Sequence, residues 1–157
     1  MVALSQYQIH VIEDSQADYL ALRRALSWAA ESLDASLQLT HHLSSDDAYA
    51  SLLEGSRPDL IFVDINLRGE SGLAFLRRVK ADRRIVPIPK VILTTSTCES
   101  DVKESFRDGA AGYLVKPLSY QDLRVAVHTC LEYRFVTSRR PVSDADNDGE
   151  GQPPPRC

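Results

Sequence analysis

Short apolar runs alternate along this chain with longer stretches in which apolar residues recur at helical spacing. The short runs are rich in β-branched and aromatic residues, and they predict strands at 7–12, 37–41, 60–63, 90–94 and 113–116. The longer stretches predict helices that begin after Ser15, at Ser44 or Ser45, at Gly72, at Glu99 and after Ser119. Five strands alternating with five helices indicate a parallel sheet that helices cover on both faces.

The third predicted strand ends abruptly on a carboxylate. Leu60 to Val63 is an uninterrupted apolar run, Asp64 follows it, and a polar loop containing glycine comes next. This pattern is typical of a strand buried on both faces, and ligands of open parallel sheets bind at the edge where such strands end. Asp64 is therefore the predicted reactive residue.

Other polar side chains end the neighbouring predicted strands. Glu13 and Asp14 follow the first strand, Thr94 closes the fourth and Lys116 closes the fifth. Three gathered carboxylates repel one another, so they need a cation among them, and an oxygen-rich site suits Mg²⁺. With Lys116 as a second positive charge, such a site favours phosphoryl transfer onto the Asp64 carboxylate.

Length and charge narrow the class of protein. A chain of 157 residues fits one domain with a sizeable core. Of the net charge of −4, residues 141–157 carry −3, so the remaining chain carries −1 and has no basic surplus for binding nucleic acid. We find no apolar run long enough to cross a membrane and no secretory signal. The three cysteines are scattered without metal-ligand spacing, which favours a cytoplasmic location.

The chain divides into a predicted domain at 1–137 and a tail at 138–157. Pro, Gly, Asp and Arg dominate the tail, which is predicted to be disordered. Residues 144–149 match the opening of an EF-hand loop, but the twelfth loop position is Pro155 instead of glutamate. Calcium binding is therefore not expected.

Taken together, Glu13-Asp14, Asp64, Thr94 and Lys116-Pro117 stand in this order, each at a predicted strand end. On these motifs, residues 5–135 resemble the receiver domain of two-component response regulators. The resemblance implies a flavodoxin-like (βα)5 fold, an α/β doubly wound sandwich with strand order 2-1-3-4-5. It also implies a phospho-acceptor rather than an enzyme, which takes a phosphoryl group from a histidine kinase. Phosphorylation would then alter a protein-binding surface around the fourth and fifth strands and helices.

The resemblance implies a role for each position. Asp64 is the expected phospho-acceptor, and Asp14, Asp64 and the backbone carbonyl of Asn66 are expected to ligate Mg²⁺, with Mn²⁺ able to replace it. Glu13 would contact the metal directly or through water, and Lys116 would pair with the phosphoryl group. Thr94 is the expected switch hydroxyl, and Tyr113 is the expected switch aromatic. Thr95 is expected to leave room for the phosphoryl donor. Asn66 and Ser96 are expected to tune the hydrolysis of the acyl phosphate.

Two positions depart from the family pattern. The longer arm of Glu13, where many receivers have aspartate, argues against its direct contact with the metal. Arg68 stands where the family often has proline, and we expect it to face a partner.

The chain is also similar to single-domain regulators associated with bacterial phytochrome kinases. The similarity rests on the longer segment before the third strand, the Leu-Thr-Thr-Ser run and the Ile-Pro before the fourth strand. Such a kinase is the expected phosphoryl donor. The residues after 137 are too few to form an output domain, so a single-domain regulator is expected.

Two alternative functions are open. A phosphatase of the haloacid dehalogenase type also uses an aspartate nucleophile with Mg²⁺, but it needs a second aspartate where this chain has Asn66. A receiver-like domain that is never phosphorylated is disfavoured, because every acceptor, metal and lysine position is filled.

The last helix also predicts a homodimer. It has more apolar residues than one face of a sheet needs. The residues behind this prediction are Val125, Val127, Leu131 and Phe135. The downstream protein target is not predicted.

Overall fold

The structure is a computed structural model that describes residues 5–95, 97–116 and 119–137, with side chains as far as Arg134. Five strands and five helices alternate along these residues. They are β1 (Ser5–Ile12), α1 (Gln16–Ser32), β2 (Ala35–His42), α2 (Ser45–Leu53), β3 (Leu60–Asp64), α3 (Gly72–Lys80), β4 (Lys90–Thr94), α4 (Glu99–Arg107), β5 (Gly112–Val115) and α5 (Tyr120–Thr137).

The strands form one parallel sheet in the order β2-β1-β3-β4-β5, which confirms the predicted fold. Ile12 pairs with Val63, so the residue after β1 reaches the level of Asp64. Thr94 pairs with Val115, so Lys116 emerges one residue beyond Thr94. The sheet register therefore gathers the polar residues of several strand ends at its carboxyl edge.

The central strand β3 is buried along its whole length. Ile61 and Val63 face a cluster that α2 and α3 complete, whereas Leu60 and Phe62 face a cluster that α1 and α5 complete. Successive side chains of a strand point to opposite faces of the sheet. The apolar run before Asp64 is uninterrupted because both faces of β3 are covered by helices.

Serine side chains fix where most of the helices begin. In each case the serine oxygen accepts a hydrogen bond from a backbone N–H three residues further on, which satisfies a donor that the helix itself leaves unpaired. The pairs are Ser15 with Asp18, Ser44 with Asp47, Ser71 with Ala74, and Ser119 with Asp122. The predicted caps at Ser15 and Ser119 are confirmed, and Ser44 rather than Ser45 caps α2.

The strand β4 has the predicted bounds, whereas each of the other four strands differs from the prediction by one or two residues at one or both ends. Asp64 is the last residue of β3, and Lys116 lies just beyond β5. β1 and β2 pair over eight residues each, and they begin two residues earlier than predicted, at Ser5 and Ala35. Backbone pairing extends past the apolar runs because ladder hydrogen bonds do not require apolar side chains.

Two of the four α5 residues on which the predicted homodimer rests lie in the core of the domain. Val127 and Leu131 are completely buried, because α1 lies beside α5 on the same face of the sheet and shares its apolar cluster. Val125 is 57% exposed, and the side chain of Phe135 lies outside the described part of the chain. The tail at 138–157 and the EF-hand-like segment within it also lie outside the described residues.

The helix α4 is the least embedded of the five over the described side chains. Of its nine residues, Ser105 alone is buried, and Phe106 is 50% exposed. Among the described residues no helix combines the length and the apolar character that crossing a bilayer requires.

Candidate functional site

Four side chains from three strand ends meet at the carboxyl edge. Glu13 and Asp14 follow β1, Asp64 ends β3, and Lys116 follows β5. One carboxylate oxygen from each of Glu13, Asp14 and Asp64 lies within 4.8 Å of the other two. The Lys116 Nζ atom lies 3.8 Å from Asp64 Oδ2. The structure thus brings the three predicted carboxylate ligands and the Lys116 ammonium to one place.

The loop after Asp64 holds its carboxylate in position. The Asn66 backbone N–H donates to Asp64 Oδ1 at 3.0 Å, and the Gly72 N–H donates to the Ile65 carbonyl at 3.0 Å. A β-carbon at Gly72 would clash with the carbonyl oxygen of Asp64 and would lie 2.9 Å from Ile65 Cα. Only glycine therefore lets α3 begin this close to β3.

Glu13 is the most buried carboxylate of the site, with a side chain 2% exposed. Its Oε1 accepts the Ser15 backbone N–H at 3.0 Å, and its Oε2 accepts from Lys116 Nζ at 2.9 Å. Burial raises the pKa of Glu13, although the contacts with Lys116 and Ser15 act in the opposite direction. With both oxygens already hydrogen-bonded, Glu13 is arranged to hold Lys116.

Three histidines lie on the neighbouring strands β1 and β2. His41 stacks on Tyr19 with ring centroids 3.6 Å apart, and its Nε2 lies 2.7 Å from the Glu13 carbonyl oxygen. His42 Nε2 lies 3.1 Å from His10 Nδ1, and both rings are buried. Burial, aided by the neighbouring His42, lowers the pKa of His10 to about 4. Burial also lowers the pKa of His42. This pair is a neutral, buried contact between β1 and β2.

Lys116 contacts three carboxylates. Its Nζ lies 2.9 Å from Glu13, 3.3 Å from Asp18 and 3.8 Å from Asp64. Burial alone would lower the pKa of Lys116, but these three negative charges raise it above its usual value. Lys116 is therefore a permanent positive charge at neutral pH.

The contact with Asp18 is absent from the sequence prediction. The Ser15 cap indicates only that Asp18 lies in the first turn of α1, and no sequence pattern indicates its contact with Lys116.

Asp14 is held by the loop that follows Asp64. The backbone N–H of Arg68 donates to Asp14 Oδ2 at 3.0 Å, and the Arg68 Nε lies 3.8 Å from the same oxygen. The Arg68 side chain is 97% exposed, so this ion pair contributes little stability. Arg68 thus anchors its loop through the backbone and presents its side chain to solvent.

The remaining predicted residues surround Asp64 at different depths. Thr94 is buried, whereas Thr95 and Asn66 are exposed. The Asn66 amide donates to Thr95 Oγ1 at 3.3 Å and to Thr94 Oγ1 at 3.5 Å. Tyr113 is half-buried and packs against the cluster beneath α3. Ser96 lies outside the described residues.

The donor set suits a hard divalent cation. Asp14 and Asp64 each accept one backbone hydrogen bond on one oxygen, which leaves lone pairs on both carboxylates. Converging carboxylate oxygens are the ligands that Mg²⁺ prefers, and an added cation would offset their mutual repulsion. The residues present therefore fit a magnesium or manganese ion.

The model of the response regulator receiver domain family matches residues 9–128 of this chain. The chain belongs to this family. Receiver domains are the phospho-acceptor modules of two-component signalling, and they take a phosphoryl group from a histidine kinase on an aspartate. Membership of this family therefore favours a signalling module over a phosphatase of the haloacid dehalogenase type.

Curated relatives include regulators of chemotaxis and of methanogenesis. The receiver domain is 28% identical over 117 residues to the chemotaxis protein CheY of Pseudomonas aeruginosa. This alignment covers 73% of this chain and 91% of CheY. It is 35% identical over 96 residues to the methanogenesis regulatory protein FilR2 of Methanothrix harundinacea. This alignment covers 59% of this chain. The match spans 62% of the length of FilR2, less than two thirds of that protein.

Solved structures of response regulators share the fold of this receiver domain. The phosphorylated cyanobacterial phytochrome response regulator RcpA is 28% identical, with a TM-score of 0.73 over 85% of this chain and 97% of RcpA. The Mn²⁺-bound response regulator Rcp1 is also 28% identical, with a TM-score of 0.72 over 87% of this chain and 99% of Rcp1. Receiver domains bind Mg²⁺ or Mn²⁺ at an acidic pocket, and the cluster of Glu13, Asp14 and Asp64 is the corresponding feature here.

Proposed function

We propose that this receiver domain accepts a phosphoryl group on Asp64 from a histidine kinase, in a reaction that depends on Mg²⁺. The observation that carries the proposal is the position of the Asp64 carboxylate. One of its oxygens lies within 4.8 Å of an oxygen of Asp14 and an oxygen of Glu13, and its Oδ2 lies 3.8 Å from the Lys116 ammonium. With a metal ion bound by these carboxylates, a transferring phosphoryl group would have positive charge on two sides, from the metal and from Lys116.

The proposed step forms one bond and breaks another. An Asp64 carboxylate oxygen attacks the phosphorus atom, and the bond from phosphorus to the donor's imidazole nitrogen breaks with both electrons on the nitrogen. The other ring nitrogen of the donor carries a proton, so the leaving group is neutral imidazole, and Asp64 becomes an acyl phosphate. A metal ion held by Asp14, Asp64 and the Asn66 carbonyl would neutralise charge on the phosphoryl oxygens. Lys116 would pair with another of these oxygens, and Glu13 would reach the metal through water.

The proposed output is a change of shape on the face formed by β4, β5, α4 and α5. Thr94 would move toward the phosphoryl group, and the half-buried Tyr113 would change orientation with it. Thr95 would leave room for the donor, and Asn66 and Ser96 would tune the hydrolysis of the acyl phosphate. The shallow burial of α4 supports a movable element at this face.

The proposed donor is a kinase of the phytochrome type. The similarity to the phytochrome response regulator RcpA over 85% of this chain supports this choice. Homodimerisation is a further proposal, and of the four residues on which it rests only Val125 is both described and exposed.

Loss of Asp14 is expected to weaken Mg²⁺ binding strongly. Asp14→Ala removes a proposed ligand, and even outer-shell partners of metal ligands are worth about 10- to 100-fold in affinity. Isothermal titration calorimetry with MgCl₂ measures the change. Asp47→Ala removes an exposed carboxylate from the first turn of α2 and should bind Mg²⁺ like the unaltered protein. Equal affinity in the protein with and without Asp14 would support a receiver-like domain that is never phosphorylated.

The acceptor itself is tested with acetyl phosphate and Mg²⁺. We expect the intact mass to rise by one phosphoryl group, the modification to map to Asp64, and no modification without the metal. Asp64→Asn keeps the shape of the side chain but removes its nucleophilic oxygen, so that variant should stay unmodified. A protein that remained unmodified at Asp64 with saturating Mg²⁺ would contradict the proposed function.

A further inference from the structure

Asp18 ties Lys116 to the first turn of α1. The Lys116 Nζ atom is closer to Asp18 Oδ2, at 3.3 Å, than to Asp64 Oδ2, at 3.8 Å. Glu13 Oε2, at 2.9 Å, is the nearest of the three carboxylates. An ammonium group has three N–H donors. Two of them are directed to Glu13 and Asp18, neither of which is the proposed phospho-acceptor.

Glu13 and Asp18 are different kinds of partner for Lys116. Glu13 is 2% exposed and fixed by the Ser15 N–H, so it holds one side of the ammonium permanently. The Asp18 side chain is 50% exposed, while that of Lys116 is 18% exposed. The Asp18 contact is therefore the one that can open without leaving a buried charge unpaired.

The local fold does not depend on the Asp18 carboxylate. The backbone N–H of Asp18 donates to the Ser15 oxygen at 3.3 Å, and this cap survives a change of side chain. Asp47 occupies the same position relative to Ser44 at the start of α2, where its backbone N–H donates at 3.1 Å. Its exposed carboxylate makes Asp47 a matched control for the loss of one negative charge at a helix start.

We propose that Asp18 is a positioning residue that restrains Lys116 and slows phosphorylation of Asp64. The inference rests on the proposed function. The negative charge of Asp18 draws the ammonium toward α1 and offsets part of the positive charge that a transferring phosphoryl group would meet. Without that charge, Lys116 keeps its hydrogen bond to Glu13 and turns its remaining donors toward Asp64.

The test compares the maximal rate of phosphorylation by acetyl phosphate, at saturating Mg²⁺, among four proteins. Asp18→Asn is expected to react about two- to five-fold faster than the unaltered protein, the range that a half-exposed ion pair can supply. Asp18→Glu should restore the slower rate, and Asp47→Asn should leave it unchanged. The gain should shrink as ionic strength rises, because salt screens an exposed charge but not a packing effect.

A second measurement needs neither metal nor donor. Labelling of Lys116 by an amine-reactive reagent, followed by mass spectrometry, reports how freely the ammonium is held. We expect faster labelling in Asp18→Asn than in Asp47→Asn. Thermal unfolding of the same variants should show closely similar transitions, because no buried group loses its partner.

The outcomes separate this inference from the proposed function. If the unaltered protein is not phosphorylated, the proposed function fails and the inference falls with it. If the unaltered protein is phosphorylated but Asp18→Asn is no faster, the inference alone fails. A gain confined to the apparent affinity for acetyl phosphate, or one that Asp47→Asn shares, would show general repulsion of the anionic donor and would also overturn it.

Discussion

Replacing Gly72 with alanine is expected to destabilise this receiver domain by about 3 kcal/mol, at the upper end of the range for overpacked positions. The added β-carbon meets backbone atoms, the Asp64 carbonyl oxygen and Ile65 Cα, which cannot rotate away as a side chain would. The start of α3 must then move away from β3. Urea unfolding of the variant measures the lost free energy.

The same substitution should also damage the site. Asp64 lies at the end of the strand that the new methyl group pushes, so its carboxylate moves relative to Asp14 and Lys116. Misplacement by about 1 Å can slow a reaction by about 100-fold, so we expect phosphorylation by acetyl phosphate to fall by about tenfold or more.

Gly112→Ala in β5 is the matched control. Its β-carbon would lie 3.4 Å from a methyl group of Val91, a side chain that can adjust. We expect the effect of Gly112→Ala on stability to be much smaller. Equal destabilisation by the two substitutions would show that the closeness of α3 to Asp64 is not what requires glycine at position 72.

Acidification is expected to remove about 3 kcal/mol of stability through His10 alone between pH 6.5 and pH 4. The pKa of His10 falls from 6.5 to about 4 in the folded protein, so over this range the unfolded chain takes up a proton that the folded chain excludes. The contribution is therefore fully present above pH 6.5 and is lost as the pH falls toward 4. His42, whose pKa is also lowered, acts in the same direction.

The double variant His10→Leu, His42→Leu tests this prediction. Replacing both partners of a buried polar contact by apolar groups of similar size can be nearly neutral. We therefore expect stability close to that of the unaltered protein at pH 7 and a smaller loss at pH 4.5, measured by urea midpoints. His42→Leu alone removes the ring that His10 contacts, and it should lose about 1–3 kcal/mol at pH 7. If the double variant lost as much stability on acidification as the unaltered protein, the histidine pair would not be the cause.

The fold was predictable because each local pattern agrees with the same architecture. The apolar run before Asp64 predicts a strand covered on both faces, and β3 has that environment. Serine caps predict where helices begin, and the parallel sheet then fixes which polar residues share an edge. For these reasons Glu13, Asp14, Asp64 and Lys116 could be assigned to one site before any distance was known.

What the sequence could not predict are contacts that depend on how elements pack. The pairing of His10 with His42 requires the register of β1 against β2, which no local pattern specifies. Val127 and Leu131 resemble surplus apolar surface until α1 is placed beside α5. Asp18 resembles an ordinary first-turn acid until the reach of the Lys116 side chain is known.

The low burial of α4 affects how the binding surface of such a domain can diversify in sequence. A helix whose single buried residue is Ser105 places almost all of its other positions at or near the solvent. Substitutions at surface positions usually change stability by less than about 0.5 kcal/mol. Residues such as Glu99, Lys103 and Phe106 can therefore vary with little penalty for folding. New binding specificities can be acquired on this helix while the chemistry at Asp64 stays the same.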